Sequence, residues 1–284
     1  MTIIDSADID RAIHQLQVLA APVPSVNELG DDLLTTNRRQ LAIALLRPGV
    51  AIACYVWAAL NGRWFVAVSL VPVVFVSDVV VVHDLMHRSL RLSRRANSIL
   101  LGALAMLMLD SGHALAATHQ AHHRLYPSRE DPEAFLAGWP LWRVLAAGPT
   151  YRYRLWRWAW RHQPRERRTI AFEIVLQMVI VATAVVVAAV GILTPLSVYV
   201  AVATVGSWLF PVVSVTAVHD PFGPTELQQS KTLHGRVTPR LLLGMGHHLE
   251  HHLWPMVPAH HLGETARRAQ RLLEANDAAI TRVP

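Results

Sequence analysis

Four long stretches of apolar residues dominate the hydrophobic pattern of this chain. They cover about residues 41–60, 65–86, 169–193 and 195–218. A helix needs about 20 mostly apolar residues to cross the hydrocarbon core of a bilayer, so each stretch is long enough to cross once. Only short breaks separate the first stretch from the second and the third from the fourth. The pattern therefore predicts four transmembrane helices.

A further apolar segment, residues 96–117, lies between two groups of histidines. If this segment crossed the membrane once, those two groups would lie on opposite sides and could not share a site. We therefore predict that it enters the bilayer partway and returns, or packs against the other spans near one face. Asp110 and His113 lie inside it, and such polar side chains favour contact with protein over contact with lipid.

The remaining segments are more polar. Residues 1–40 are predicted to form a cytoplasmic N-terminal segment that includes a short surface helix at about 5–19. Residues 219–284 form a C-terminal cytoplasmic region, with an amphipathic helix at about 259–275. We predict an all-α integral membrane protein with four transmembrane helices, a re-entrant or interfacial helical segment, and a histidine-rich cytoplasmic cap. Residues 41–284 are expected to form a single membrane domain.

Composition and charge change this picture in two ways. The chain is 52% hydrophobic and only 16% charged, which is more apolar than an ordinary soluble domain. Its formal charge is +6, and the arginines cluster on the histidine-containing side of the predicted spans, whereas the short loops opposite contain only Arg63. By the positive-inside rule, the histidine side is cytoplasmic, in an inner or plasma membrane. Arginines that flank membrane spans do not indicate a nucleic-acid partner.

Histidine spacing is the strongest chemical signal in the sequence. Three clusters have offsets of three or four residues, which places imidazoles on one face of a helix. A single histidine at the end of the fourth apolar stretch completes the set. The candidate metal ligands are His83, His87, His119, His122, His123, His219, His248, His251 and His252. Nine imidazoles exceed the capacity of one metal ion, but two ions could share them at four or five each.

Imidazole suits Zn, Cu, Fe and Ni, so the residues alone do not select the metal. A redox metal with open positions can activate O₂, and a site at helix ends beside a bilayer suits an apolar substrate. Two other classes of membrane protein remain open. A histidine-based metal transporter should place its ligands near the middle of its spans. A haem protein should place paired histidines across the bundle interior.

The three clusters together resemble the membrane di-iron fatty acid desaturase and hydroxylase superfamily, over about residues 41–258. The sequence HDLMH at residues 83–87 is similar to the first histidine box of carotenoid ketolases in this superfamily. Residues 119–123 are followed by Arg124 and by EDPE at residues 130–133, as in desaturases and ketolases. HHLEHHLWP at residues 247–255 closely resembles the third box of bacterial acyl desaturases.

This resemblance implies that the nine histidines bind two nonhaem iron ions. It implies an oxidoreductase that uses O₂ and desaturates acyl chains of membrane-embedded lipids; the alternative is a carotenoid ketolase or hydroxylase with the same di-iron site. An HPGG signature of a fused cytochrome b5 is absent, so electrons are expected from a separate donor such as ferredoxin, which the arginine-rich face could attract. The sequence departs from the pattern at Val215, where some acyl desaturases have an asparagine that holds a water-linked ligand.

Metal-bound histidines usually donate their second N–H group to a carboxylate or carbonyl. Asp84, Asp220 and Glu250 neighbour candidate ligands in the sequence and are candidates for this role, with ordinary solvation at helix ends as the alternative. His113 is expected to pair with Asp110 or to line the substrate tunnel. Whether His247 or His248 is the better ligand stays open, and the other histidines are expected on the surface: His14, His162, His234, His260 and His261.

Overall fold

The computed structural model describes residues 23–192 and 194–283. The predicted surface helix at 5–19 and His14 lie outside these residues. The described chain is mostly helical, with little sheet, which confirms the predicted all-α class. Its one sheet is a pair of parallel three-residue strands, β1 (Thr232–His234) and β2 (Ile280–Arg282), which the apolar pattern did not predict.

Twelve helices follow one another along the described chain. They are α1 (Val26–Leu29), α2 (Arg38–Leu60), α3 (Trp64–His87), α4 (Arg94–Ala105), α5 (Gly112–Leu125), α6 (Leu141–His162), α7 (Arg167–Ala189), α8 (Pro195–Pro211), α9 (Glu226–Gln229), α10 (Thr238–Leu241), α11 (His248–Leu253) and α12 (Ala259–Ala275). Three short 3₁₀ turns lie between them (Asp31–Leu34, Met106–Met108 and Ala134–Leu136), and a π-helical turn, Val212–Thr216, extends α8.

Four of the described helices are long and apolar enough to cross a membrane: α2, α3, α7, and α8 together with its π-helical turn. Their bounds agree with the predicted stretches to within a few residues. Large apolar side chains point outward from them; the exposed fraction is 87% for Phe65 and 68% for Phe172. An exposed apolar surface of this extent marks contact with an apolar environment or partner.

Small residues allow α2 and α3 to pack closely. Ala51, Ala58 and Ala59 of α2 and Ala67 of α3 are buried in one apolar cluster. Small side chains bring helix backbones together, which is a common packing mode in membranes. At the same end of the bundle, the hydroxyl group of Tyr55 donates a 2.6 Å hydrogen bond to the carbonyl of Pro195, which joins α2 to the start of α8.

The segment predicted to enter partway and return is a sharply bent helix pair. The α4 helix with its 3₁₀ turn meets α5 at an angle of 98°. Leu109 ends the first part in a left-handed conformation, and the hydroxyl group of Ser111 caps α5 by accepting from the N–H of Ala114. Gly112 makes the bend possible, since a Cβ atom there would collide with the Leu101 carbonyl. The bend returns the chain to the end of the bundle where α3 ends.

The cap is made from the segments after α8. The predicted amphipathic helix at 259–275 is confirmed as α12 (Ala259–Ala275). Its buried face joins Leu33, Leu249 and Trp254 in an apolar cluster that also includes Val80 of α3. Arg268 of α12 forms a 2.7 Å ion pair with Asp32, so the described N-terminal residues pack on the C-terminal helix. The cap is thereby fixed to the histidine end of the bundle.

Candidate metal centre

Three helices and one helix extension position the nine predicted ligands. His83 and His87 occupy the last turns of α3, and the second cluster occupies the last turns of α5. The third cluster lies on α11, and its His251 ring contacts His83 of α3 and His123 of α5. The structure therefore brings together all nine histidines that the sequence singled out, and it places them at one end of the bundle.

The lone histidine owes its position to an irregular turn. Pro211 has no N–H group to continue the α-helical bonding, and the chain continues as a π-helical turn before His219. Such turns are frequent at functional sites because they rotate the residues that follow. Nδ1 of His219 donates to the carbonyl oxygen of Val215 at 3.1 Å, which directs Nε2 toward the other histidines. The backbone of Val215 thus supports the ring, although its side chain cannot bind a water ligand.

One set of imidazoles forms the five-histidine group: His83, His87, His119, His123 and His251. The Nε2 atom of His251 lies 3.0 Å from that of His83 and 2.8 Å from that of His123. His119 Nε2 lies 3.1 Å from His83 Nε2 and 3.2 Å from His123 Nε2. Nε2 of His87 is buried and has no hydrogen-bond partner among the described residues. All five rings therefore face one small volume.

The other set forms the four-histidine group: His122, His219, His248 and His252. Nε2 of His219 lies 3.0 Å from that of His122, 3.1 Å from that of His248 and 3.2 Å from that of His252. The Nε2 atoms of His248 and His252 are 3.0 Å apart. The division into five and four agrees with the sequence argument that two ions could share nine imidazoles.

The electrostatics of the four-histidine group fit a bound cation. Burial, together with the charge of neighbouring histidines, lowers the pKa of His219 to about 3 and holds the pKa of His248 and His252 well below the ordinary value. Burial opposes the charged form of His122 as well, but the hydrogen bond to Asp131 raises the pKa of this ring. In their neutral, metal-binding forms, His122 and His219 would present Nε2 lone pairs to each other at 3.0 Å. Facing lone pairs repel, and a metal ion between them removes the repulsion.

Two carboxylates orient the second cluster. Nδ1 of His119 contacts Glu133 at 2.9 Å, and Nδ1 of His122 contacts the fully buried Asp131 at 2.6 Å. A carboxylate that accepts from Nδ1 fixes the tautomer and leaves Nε2 free to bind metal. Both belong to the EDPE run, to which sequence reasoning gave no role of this kind. The signal was the proximity of two acidic residues to a histidine cluster that ends a helix.

The carboxylates proposed from sequence adjacency have other partners. Asp84 accepts from the Ser89 hydroxyl group at 3.0 Å and from the Ala259 N–H group at 2.9 Å. Asp220 accepts from the N–H group of Phe222. Neither oxygen of Glu250 contacts a proposed ligand. Sequence adjacency was misleading because successive residues on a helix point in different directions, so the neighbour of an inward-facing histidine faces elsewhere.

The expected pairing of His113 with Asp110 is also wrong. His113 contacts Glu173 of α7 at 2.6 Å through Nδ1 and the Ser98 hydroxyl group at 2.8 Å through Nε2. Asp110 instead pairs with Arg152 of α6 at 3.1 Å and accepts from the indole of Trp156. His113 thus joins α5 to α7, and Asp110, in the bend before α5, joins the bent helix pair to α6.

The remaining histidines lie outside both groups. His247 contacts the Thr232 hydroxyl group, so His248 alone occupies this position in the four-histidine group. His162 is exposed and stacks on Trp158. His261 contacts the carbonyl oxygen of Thr35.

An apolar cavity of about 160 Å³ adjoins the metal-binding groups. Its walls include Phe75 and Val79 of α3, Leu155 of α6 and Phe210 of α8. Histidines from both groups line it: His83, His119, His122, His219 and His248. An apolar cavity with a few convergent polar groups is the usual form of a small-molecule site. Here the convergent groups include the imidazoles, together with Asp110, Glu133 and Arg152.

Comparison with known proteins agrees with this geometry. No curated protein matches the chain significantly. The family described as fatty acid desaturase matches residues 56–284, a region that contains all nine histidines and both supporting carboxylates. Since this match covers most of the sequence, the chain belongs to the fatty acid desaturase family.

Proposed function

We propose that this protein is an O₂-dependent nonhaem di-iron oxidoreductase that desaturates the acyl chains of membrane-embedded lipids. Family membership supports an oxidoreductase that acts on lipids. The observation that carries the proposal is the apolar cavity, because imidazoles of both groups line it. An acyl chain in this cavity would bring its C–H bonds next to the metal-binding groups.

We assign the five-histidine group to one iron ion and the four-histidine group to the other. When bound, the two irons supply the power to oxidise an unactivated C–H bond with O₂. Loss of two hydrogens from the chain provides two electrons and two protons, and an external donor such as ferredoxin provides two more electrons; with two further protons, these reduce O₂ to two waters. We assign no catalytic role to residues other than the ligands.

The residues of this chain have three tasks in that reaction. Phe75, Val79 and Phe210 exclude water from the cavity and hold the substrate by apolar contact. Asp131 and Glu133 hold His122 and His119 in the tautomer that binds metal.

The volume of the cavity, about 160 Å³, is below the range of pockets that enclose whole ligands. The cavity therefore fits only the part of an acyl chain that reaches the histidines.

We further propose that the four apolar helices span the membrane and that residues 41–284 act as one domain. Exposed arginines, including Arg88, Arg91, Arg94 and Arg95 after α3, surround the histidine end of the bundle. This asymmetry supports a cytoplasmic location for the metal centre. The same positive surface would attract an acidic electron donor, most strongly at low ionic strength.

The function is tested by mass spectrometry of total lipids from cells that express the protein with a ferredoxin system. The host should make both ordinary fatty acids and a carotenoid. We expect acyl chains that have lost two hydrogens, and none of this product in cells that express His251→Ala, which removes a ring of the five-histidine group.

Other results would overturn the proposal. A carotenoid that gains oxygen while acyl chains stay unchanged would assign the protein as a ketolase or hydroxylase, as the HDLMH segment allows. No change in either lipid class would remove the support for a lipid oxidoreductase. An intense Soret band in the purified protein would identify haem instead of nonhaem iron.

A further inference from the structure

A third group of potential metal ligands lies beside the proposed di-iron centre. It consists of His234, His247 and Glu250, each of which offers a ligand atom within 4.8 Å of the others. None of these three belongs to the five- or four-histidine groups. The sequence alone predicts His234 to be a surface residue and leaves His247 as a competitor of His248.

Backbone pairing brings these residues together. The N–H group of Leu233 in β1 donates to the carbonyl of Gly246 at 2.8 Å, and that of Leu249 donates to Lys231 at 3.1 Å. A β-bridge pairs Thr232 with His247. Because alternate residues of a strand share a face, His234 lies on the same face of β1 as Thr232. Glu250 follows His247 by three residues, one turn along the chain.

Glu250 is a second, independent indication of a ligand. Glu250 is 0% exposed, and among the described residues its carboxylate oxygens have no ion-pair partner and no short hydrogen bond; the nearby Thr232 hydroxyl group stabilises its charge only in part. A buried carboxylate without a cationic partner is costly, and such groups are normally paired or coordinate a metal. Neighbouring imidazoles are the natural complement, because His and carboxylate together form common sites for divalent transition metals.

We propose that His234, His247 and Glu250 bind a third, separate divalent metal ion. Two imidazoles and one carboxylate match the protein ligands of Zn²⁺ sites in which water occupies a fourth position. The Thr232 hydroxyl group, 3.3 Å from Nδ1 of His247, helps to fix that ring. The ion would join β1 to the start of α11. This site rests on its own ligands and goes beyond the proposed oxidation of lipids.

The test counts metal in the full-length protein. Iron-loaded protein in detergent is exposed to excess Zn²⁺ and desalted, and total transition metal per chain is measured by mass spectrometry. We expect His234→Ala to contain one metal ion fewer than the parent, with its iron content and lipid product unchanged. Glu250→Gln, which removes the only anionic ligand, should show the same loss. His162→Ala is the matched control, because this exposed histidine lies on α6, and it should retain the parent's count.

Equal metal counts in the parent, His234→Ala and Glu250→Gln would overturn the proposal. It would also fail if His234→Ala lost iron instead of the additional ion, since His234 would then support only the di-iron centre. The difference between parent and His234→Ala does not depend on turnover. A protein that failed to desaturate lipids but showed this difference would therefore retain the third site and lose only the proposed function.

Discussion

The five-histidine group and the four-histidine group face each other but rest on different parts of the fold. Helices α3 and α5 supply four of the five rings in the first group. In the second group they supply only His122, while His219, His248 and His252 come from segments after α8. Packing of the bundle therefore fixes most of the first group, whereas the second depends on how the cap folds back.

The groups also differ in how they meet the cavity. The four-histidine group contributes three rings to the cavity wall, those of His122, His219 and His248. The five-histidine group contributes two, those of His83 and His119. The four-histidine group has one imidazole fewer and more rings on the cavity, so a metal ion bound there would have more positions open for substrate or O₂. Its metal occupancy should therefore fall further than that of the five-histidine group when a single ring is lost.

Removal of one ring from each group gives the largest expected effect. His252→Ala leaves three imidazoles in its group, and His123→Ala leaves four in the other. Both changes should abolish desaturation and lower bound iron, and His252→Ala should lower it further, to about one ion per chain. Iron per chain and lipid product are measured together, with His261→Ala as the control that leaves both unchanged. Equal iron loss in the two variants would refute the proposed difference between the groups.

Changes to the supporting carboxylates should have a smaller effect. Asp131→Asn acts on the four-histidine group through His122, and Glu133→Gln acts on the other group through His119. Loss of such a contact typically weakens metal binding about 10–100-fold. Asp131→Asn should reduce the affinity for iron more than Glu133→Gln does, because Asp131 also accepts from the N–H groups of Glu133 and Ala134. Competition with an iron chelator measures both affinities.

Asp220→Asn is the matched control for the carboxylate variants. Asp220 follows His219 in the sequence, but its carboxylate accepts from the N–H group of Phe222 in the next turn. It should change iron affinity by less than a factor of two. If Asp220→Asn reduced the affinity for iron as much as Asp131→Asn does, the assignment of Asp131 as the specific support of His122 would be wrong.

These variants reflect what the sequence could and could not predict. The length of the apolar stretches and the residues at their ends predicted the four long apolar helices: Thr194 caps α8 and Pro195 begins it, as the sequence indicates. The helix at 259–275 was predicted to the residue because its apolar face repeats regularly. Offsets of three and four likewise identified the eight clustered histidines, since that spacing is a property of the helix itself, and the position of His219 at the end of the fourth apolar stretch completed the set.

Local sequence patterns do not predict contacts between segments that are far apart in the chain. Asp131 and Glu133 lie in an irregular segment whose path no periodicity predicts, so their contacts with His122 and His119 were missed. The sheet β1–β2 pairs residues almost 50 positions apart, and its three-residue strands are too short for a pattern. A different pairing, of β1 with residues 246–249, assembles the proposed third metal site. It too joins segments that no local spacing connects.

Blocking the cavity should reduce activity without loss of metal. Ser207 lines the cavity from α8, whereas Val205 on the same helix is 52% exposed and points away. Ser207→Phe should fill space that an acyl chain occupies and lower product several-fold, or shift the new double bond along the chain. Val205→Phe adds similar bulk on the outer face, and it should change neither the amount of product nor the position of the double bond. Equal iron in both variants shows that the centre is intact, and unchanged product in Ser207→Phe would place the substrate elsewhere.

Acidification of the metal-free protein should give the smallest effect, a fall in its thermal stability. The size of this fall tests whether the four-histidine group is assembled without metal. Burial and neighbouring histidines lower the pKa of His219 to about 3 and keep the pKa of His248 and His251 well below the ordinary value of about 6.5. Below about pH 6.5 the unfolded chain therefore binds protons that the folded chain does not, and stability falls as the pH is lowered; the contribution of His219 is lost by about pH 3.

The melting temperature of chelator-treated protein in detergent should thus be level above about pH 6.5 and fall by roughly 5–10 °C between about pH 6.5 and about pH 5. His248→Gln removes one titrating ring from the four-histidine group while it keeps a side chain of similar polarity, so its melting temperature should fall less over the same range. If the variant and the parent lost the same number of degrees, His248 would already be protonated or exposed in the metal-free protein. The four-histidine group would then assemble only with its metal, and its dependence on the cap would be stronger than its buried position indicates.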